Sequence, residues 1–327
     1  MDTIPPSWIL TPSERQSIFD TQIAPHLQPH IPPPSPSPPK TKTAVLLVGQ
    51  TGAGKTRLAP ILSSALSSRS PSVVPPAHLI ADTYKTLHPF YTACLARSPR
   101  QASALAGPDA RAWLAMSCAF CVAHSVPSVL VESACRHPDD FCELARIFSG
   151  GGYAVRVLVL AVPAPLSRLG ILVRYYRRLP EAMSRGLPLR LTPGPVHDES
   201  FVGLGRVAEF LDGDGDGDGV AHSVVVVRRD GLVSYRNRRR CGGEEDGKWE
   251  RGVGAARALE VERTRKLTED EERMAREDIE QLRKLGDEKV DRQLVEIEAL
   301  MGRLDGKGMD TTTLEPLRAV DFVRGDW

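Results

Sequence analysis

The sequence predicts an α/β fold: a parallel sheet flanked by helices, with an added C-terminal helical segment. Two observations carry this. Short continuous apolar runs recur at residues 44–48, 78–81, 128–131 and 155–162, as in strands buried on both faces. Helical stretches lie between them, at 56–67, 108–125 and 139–148. Strands alternating with helices build right-handed βαβ units around a parallel sheet. The 327 residues are 41% apolar and 25% charged, enough to enclose a sizeable core.

The elements follow in order. Residues 1–41 read as an N-terminal helix and a Pro-rich linker. Thr11-Pro12-Ser13-Glu14 is a capping box with Pro at the first helical position. Residues 31–40, with six prolines, form a polyproline-type spacer. Residues 42–240 form the α/β domain. Its closing hairpin runs from the apolar stretch 223–227 through Arg229-Asp230-Gly231 into 232–235, with an Asp-Gly turn. Residues 212–219 repeat Asp-Gly four times. They lack the terminal Glu of a calcium-binding loop and read as an acidic surface loop.

Residues 241–306 form a charged helical extension. From 255 to 305 the chain is dense in Glu, Arg, Lys and Leu, which predicts one or two long helices. Val290, Leu294, Ile297, Met301 and Leu304 follow 4-3-4-3 spacing, a heptad stripe that either docks on the domain or meets a protein partner or a second copy. Residues 307–327 read as a flexible tail.

Composition excludes several functions. Lys plus Arg is 42, Asp plus Glu is 41 and the net charge is +1, so no electrostatic case exists for a general nucleic-acid or membrane-surface binder. No apolar run approaches the ~18–20 residues that span a bilayer. The start of the chain lacks the basic and apolar regions of a secretory signal. Six cysteines in a chain of this size are not a disulfide scaffold. Cys118-Ala119-Phe120-Cys121 has no second pair at zinc-site spacing and reads as two small residues on a buried helix. A reduced, cytoplasmic protein is expected.

The chemistry rests on Gly49-Gln50-Thr51-Gly52-Ala53-Gly54-Lys55-Thr56, which matches G-x-x-x-x-G-K-[ST] between a strand and a helix that opens with Arg57. The glycines let backbone amides curl around phosphates, and the helix N-terminus adds its positive end. Lys55 is expected to reach the β- and γ-phosphates of ATP, and the Thr56 hydroxyl to bind Mg²⁺. Three features point to a P-loop kinase-like domain. The domain is compact. Asp82 follows the second strand at the carboxyl edge of the sheet, where ligands bind; it is a general base, a helix cap or a magnesium partner. Arg174-Tyr175-Tyr176-Arg177-Arg178, with Arg185 and Arg190, suggests a lid whose guanidinium groups stabilise a transferring phosphoryl. Arg177, Arg178 and Arg185 read equally as a solvated basic face.

Several islands in order resemble the zeta toxin kinases. These are residues 49–56; Asp82-Thr83-Tyr84-Lys85-Thr86-Leu87-His88-Pro89; Val129-Leu130-Val131-Glu132 with Arg136; Gly152-Tyr153; Val159-Leu160-Ala161-Val162-Pro163 with Ser167, Gly170 and Arg174-Tyr175; Arg190, Thr192, His197 and Asp198; and Arg229-Asp230-Gly231 with Tyr235. The resemblance covers about residues 42–235. It implies phosphorylation by ATP of the sugar 3′-hydroxyl of UDP-N-acetylglucosamine. Asp82 would be the general base, Lys55, Arg174 and Arg190 phosphate clamps, and Thr56 the Mg²⁺ ligand. Glu132 would contact the sugar, with His88 and Arg136 on the acceptor side. Read without the resemblance, Glu132 is equally a magnesium ligand or a structural partner for Arg136. Where the family has a Gly-Thr-like pair after this Glu, the chain has Ser133-Ala134-Cys135.

The other readings are an ATPase, a nucleoside or nucleic-acid-end kinase, and a non-catalytic ATP-binding interaction module. A nucleic-acid groove wants basic and aromatic lining, and aromatics are 6% of this near-neutral chain. The N-terminal arm and the C-terminal helices are candidates to shield the nucleotide site in cis.

Overall fold

The computed structural model describes residues 5–34, 41–69, 74–184, 191–213, 220–240, 247–305 and 314–327. The elements in chain order are α1 (Pro12–Ile18), α2 (Ala24–Leu27), β1 (Lys42–Val48), α3 (Lys55–Arg69), β2 (Ala77–Ile80), α4 (Ala81–Tyr84), α5 (Tyr91–Arg97), α6 (Pro99–Ala123), β3 (Ser128–Ser133), α7 (Pro138–Gly150), β4 (Tyr153–Leu160), α8 (Ala164–Ser184), α9 (Gly194–Asp212), β5 (Ser223–Val227), β6 (Leu232–Arg238), α10 (Ala255–Thr264), α11 (Glu269–Arg283), α12 (Glu288–Met301), β7 (Glu315–Pro316) and α13 (Ala319–Arg324).

One sheet runs in the order β2-β3-β1-β4-β5-β6-β7. Strands β1 to β5 pair in parallel, and β6 and β7 are antiparallel. Side chains alternate across the sheet, so each central strand feeds two cores. Ala44, Leu46 and Val48 face a layer that includes the N-terminal arm, α6, α7 and α9. Val45 and Leu47 face the layer of α3, α8, α11, α12 and α13. The chain reverses its direction of travel across the sheet between β3 and β1, which opens a crevice at their carboxyl ends.

The capping box at Thr11 and Glu14 forms as expected. The helix expected to start at Pro108 begins nine residues earlier, at Pro99, and runs through Pro108. The α6 packing outweighs the local interruption that a proline introduces. Cys118 and Cys121 are fully buried on α6.

The extension makes three helices rather than one or two. Breaks at residues 265–268 and 284–287 let each helix turn back onto the domain. Val290, Leu294 and Ile297 are buried, and Met301 packs against the same core, so the stripe that suggested a partner is covered by its own chain.

The tail expected to be flexible is partly built into the fold. β7 extends the sheet, Leu317 N donates to Gly231 O (2.8 Å), and Phe322 and Val323 of α13 are fully buried. Arg156 Nη2 donates to Arg324 O (2.8 Å), fastening α13 to β4. Residues 35–40 of the Pro-rich linker, residues 214–219 of the Asp-Gly run, and 306–313 lie outside the described residues. The first Asp of that run has a defined role: Asp212 carboxylate oxygens accept from the amides of Gly254, Ala255 and Ala256 (2.8–3.1 Å), capping α10. Among the described residues no helix is long and apolar enough to cross a membrane.

Candidate active site

The loop at 49–54 leaves β1 beside the β3 end and enters α3. Gly49 N donates to Ser133 O (3.2 Å), and Ala53 N turns back to Gln50 O (3.1 Å). Gly52 (φ +81°) and Gly54 (φ +108°) adopt backbone conformations that favour glycine. A Cβ on Gly52 would lie 2.0 Å from Ser167 O, so the loop backbone rests directly on α8.

Three further elements hold the loop. Gln50 is buried, and its Nε2 donates to Val162 O (2.6 Å) and Ser167 Oγ (3.3 Å). Ser200 Oγ of α9 accepts from Thr51 N (3.1 Å). Arg229, in the β5–β6 turn, donates to Ala53 O (3.1 Å), Gly52 O (2.6 Å) and Leu166 O (3.1 Å). Burial pushes the Arg229 pKa down to about 10. With the loop carbonyls engaged, the amides of Gly52, Gly54, Lys55 and Thr56 have no hydrogen-bond partner among the described residues. Four amides at a helix start form an anion cradle.

The loop opens onto a cleft of about 1120 Å³ at the carboxyl edge of the sheet. Lys55, Thr56 and Arg57 line it from α3, Asp82 and Lys85 from the segment after β2, Glu132 and Ser133 from β3, and Arg174 from α8. Lys55 Nζ donates to Gly49 O (2.5 Å) and sits against Gln50 O (3.4 Å). Burial pushes its pKa down, opposed by Glu132 and Asp82.

Asp82 stands in the mouth of the cleft, with Lys85 Nζ 2.6 Å from its Oδ1. The side chain is 81% exposed, and partial desolvation in the cleft works to raise its pKa. The charge and hydrogen bond of Lys85, with Lys55 and Arg174, outweigh this and hold it below the ordinary range. Arg174 lies within hydrogen-bond reach of the Thr192 hydroxyl (3.4 Å). Its own pKa is lowered by desolvation and by Arg178, while Asp82 works the other way.

Glu132 is buried at the end of β3, and its Oε1 lies 2.9 Å from His78 Nε2 on β2. Arg136 is therefore not its partner; it lines the cleft and pairs with Glu199 of α9. His88 does not stand on the acceptor side, where it was expected. It is fully buried away from the cleft, with Nε2 3.3 Å from Asp109 Oδ2 on α6. Asp109 also binds Arg15 of α1 (2.7 Å). His88 thus ties its own segment to α6, whose Asp109 separately holds Arg15 of the N-terminal arm, and it does not line the cleft. The spacing of the His-Pro segment from Asp82 could not show that its helical turn points the ring inward. Arg185 and Arg190 lie outside the described residues.

Sequence reasoning missed Lys85, His78, Ser200 and Arg229 as site residues. Lys85 had a local signal, a cation three residues after Asp82 on a helix. Arg229 stood in the resembling final-hairpin island without a role, and His78 and Ser200, from distant segments, show no signal.

The residues suit a nucleoside triphosphate with Mg²⁺. The amide cradle and Lys55 match phosphate oxygens. Thr56, Asp82 and Glu132 offer the hard oxygen donors that Mg²⁺ shares with phosphates. No cluster of three or more His, Cys, Asp or Glu able to hold a metal by itself occurs among the described residues.

A family model described as Zeta toxin matches residues 31–240. No curated protein matches the chain. Among solved structures, the PezAT chromosomal toxin-antitoxin system of the human pathogen Streptococcus pneumoniae is similar at 18% identity and a TM-score of 0.58, over 89% of this chain and 98% of that one. The structure of AvrRxo1-ORF1:-ORF2 with ATP is 17% identical at a TM-score of 0.38, over 57% of this chain and 55% of that one.

Proposed function

From the premise that this chain belongs to the zeta toxin family and carries a P-loop kinase-type fold, we propose that it is a cytoplasmic ATP-dependent phosphotransferase. Its acceptor is the hydroxyl of a small molecule, a nucleotide sugar such as UDP-N-acetylglucosamine. The observation that carries the reading is the convergence of Lys55, Asp82 and Arg174 from three separate elements into one cleft, close enough that each shifts the ionisation of another.

ATP bound with Mg²⁺ supplies the γ-phosphoryl group. The cradle amides and Lys55 bind its phosphates, and Thr56 binds the metal. Asp82, held ionised by Lys85, takes the proton of the acceptor hydroxyl as the new O–P bond forms; the bond to the β-phosphate oxygen breaks and ADP leaves. Arg174 and Lys55 stabilise charge on the transferring oxygens. Arg190 takes the role of a second phosphate clamp that the family resemblance implies. Glu132, oriented by His78, accepts hydrogen bonds from the acceptor, and Arg136 flanks it.

The test is ADP release with Mg-ATP, with and without UDP-N-acetylglucosamine, for the wild type and Asp82→Asn. Acceptor-dependent ADP, reduced ~10²–10⁴-fold in the mutant with ATP binding kept, is expected of a lost general base. ADP without an acceptor product would make the protein an ATPase. A fully active Asp82→Asn would remove the base assignment.

A further inference from the structure

Arg263 lies on α10, outside the residues that the family model matches, yet it reaches the phosphate loop. It is 5% exposed. Its Nη2 donates to Gln50 Oε1 (3.3 Å), and its guanidinium lies 3.8 Å from the centroid of the Phe201 ring. Its Nε is buried without a hydrogen-bond partner, and no carboxylate forms an ion pair with it among the described residues. Burial pushes its pKa down to about 10, which leaves it charged at neutral pH.

The contact has a directional consequence. A guanidinium only donates, so Arg263 selects the oxygen end of the Gln50 amide. The nitrogen end is then left for Val162 O and Ser167 Oγ, the contacts that tie the loop to the end of β4 and to α8.

The helix that delivers Arg263 is itself fastened. Glu262 accepts from Arg228 Nε (2.6 Å) and from Arg265 Nε (2.7 Å). Arg265 grips both oxygens of Glu271 (2.6 Å each). Arg228 is the chain neighbour of Arg229, which holds the Gly52 and Ala53 carbonyls.

We propose that Arg263 is a positioning residue for the nucleotide site: the C-terminal extension orients Gln50 through it and holds the phosphate loop in its anion-binding shape. This rests on the ATP reading above. The extension is then a supporting wall of the site rather than a cover over it. A buried cation without a counter-ion is costly in an apolar setting. Here it stands behind a loop that gathers anions, where its charge adds to the positive field.

The test is calorimetric titration with Mg-ATP of the full-length wild type, Arg263→Met, Arg263→Lys, Gln50→Leu and the Arg263→Met/Gln50→Leu double variant, with thermal unfolding of each without nucleotide. The expected result is wild-type binding that weakens on the order of tenfold in folded Arg263→Met, the weight of a hydrogen bond to a charged group. Arg263→Lys recovers part of it. In the Gln50→Leu background, Arg263→Met adds little further loss, because the two act as one unit. A purely structural role would instead cost the same in both backgrounds, and that result overturns the proposal. So does a folded Arg263→Met that binds ATP as the wild type does. If Arg263→Met fails to fold, Arg263→Lys decides: weaker binding than wild type supports the proposal, and equal binding overturns it. A wild type that binds no ATP would remove the nucleotide reading itself, and this inference with it; that failure shows in the unmutated chain alone.

Discussion

Lys85 Nζ lies 2.6 Å from Asp82 Oδ1, three residues along the same short helical segment. The pair places a cation beside the proposed base and, against partial desolvation, holds its pKa below the ordinary carboxylate range. The base therefore stays ionised to lower pH than an unpaired aspartate would. Lys85→Met should move the acid limb of the kcat/KM profile to higher pH, because Asp82 would then protonate at a higher pH. Acceptor-dependent ADP release measured across pH checks this. An unmoved acid limb would mean that Asp82 is not the group that titrates.

Gly52 combines φ +81° with a backbone oxygen 2.0 Å from where a Cβ would sit. Gly52→Ala must therefore push the loop off α8. The expected outcome is weaker Mg-ATP binding together with a loss of about 1–3 kcal/mol for the backbone strain, read by calorimetry and by chemical unfolding.

Arg265, 1% exposed at its side chain, is bonded to both Glu271 oxygens. Burial works to raise the Glu271 pKa, but Arg265 outweighs it and the net shift is down. The pair therefore stabilises the fold above the ordinary glutamate value of 4.5, and this stability is lost as pH falls through the lowered folded value. Glu271→Gln should cost about 3–5 kcal/mol at neutral pH, the range for breaking a buried pair. The difference from wild type should narrow below the ordinary value. A difference in unfolding free energy that stays constant from neutral to acid pH would contradict the assignment.

Phe322 is fully buried and stacks on Trp327 at 5.5 Å between centroids. Phe322→Ala should lower stability by about 3–5 kcal/mol, seen as a lower Tm. An unchanged Tm would show that the last helix contributes nothing to the core.

Much of the architecture was legible because the buried parallel strands carry their signal locally. Ala44, Val45, Leu46, Leu47 and Val48 are apolar in succession since both faces of β1 are covered. The loop that follows was legible for a similar reason, as its three glycines and Lys55 answer to short-range geometry. The break at Pro108 misled, because α6 packing overrides a local propensity. The stripe on α12 was visible, but what covers it was not: a 4-3-4-3 pattern records an apolar face and no identity for its partner.

The sequence alone determined the α/β class, the strand-loop-helix that cradles phosphate, and the candidate roles of Lys55, Thr56, Asp82 and Arg174. Tertiary structure alone decided the rest. It turned His88 inward onto Asp109, matched Glu132 with His78 rather than Arg136, folded the extension back into the domain, and brought Arg229 and Arg263 to the loop. The physical reason is distance along the chain. Periodicity and turn chemistry act within a few residues, whereas Gln50 and Arg263 are 213 residues apart and meet only when two helical layers close on one sheet.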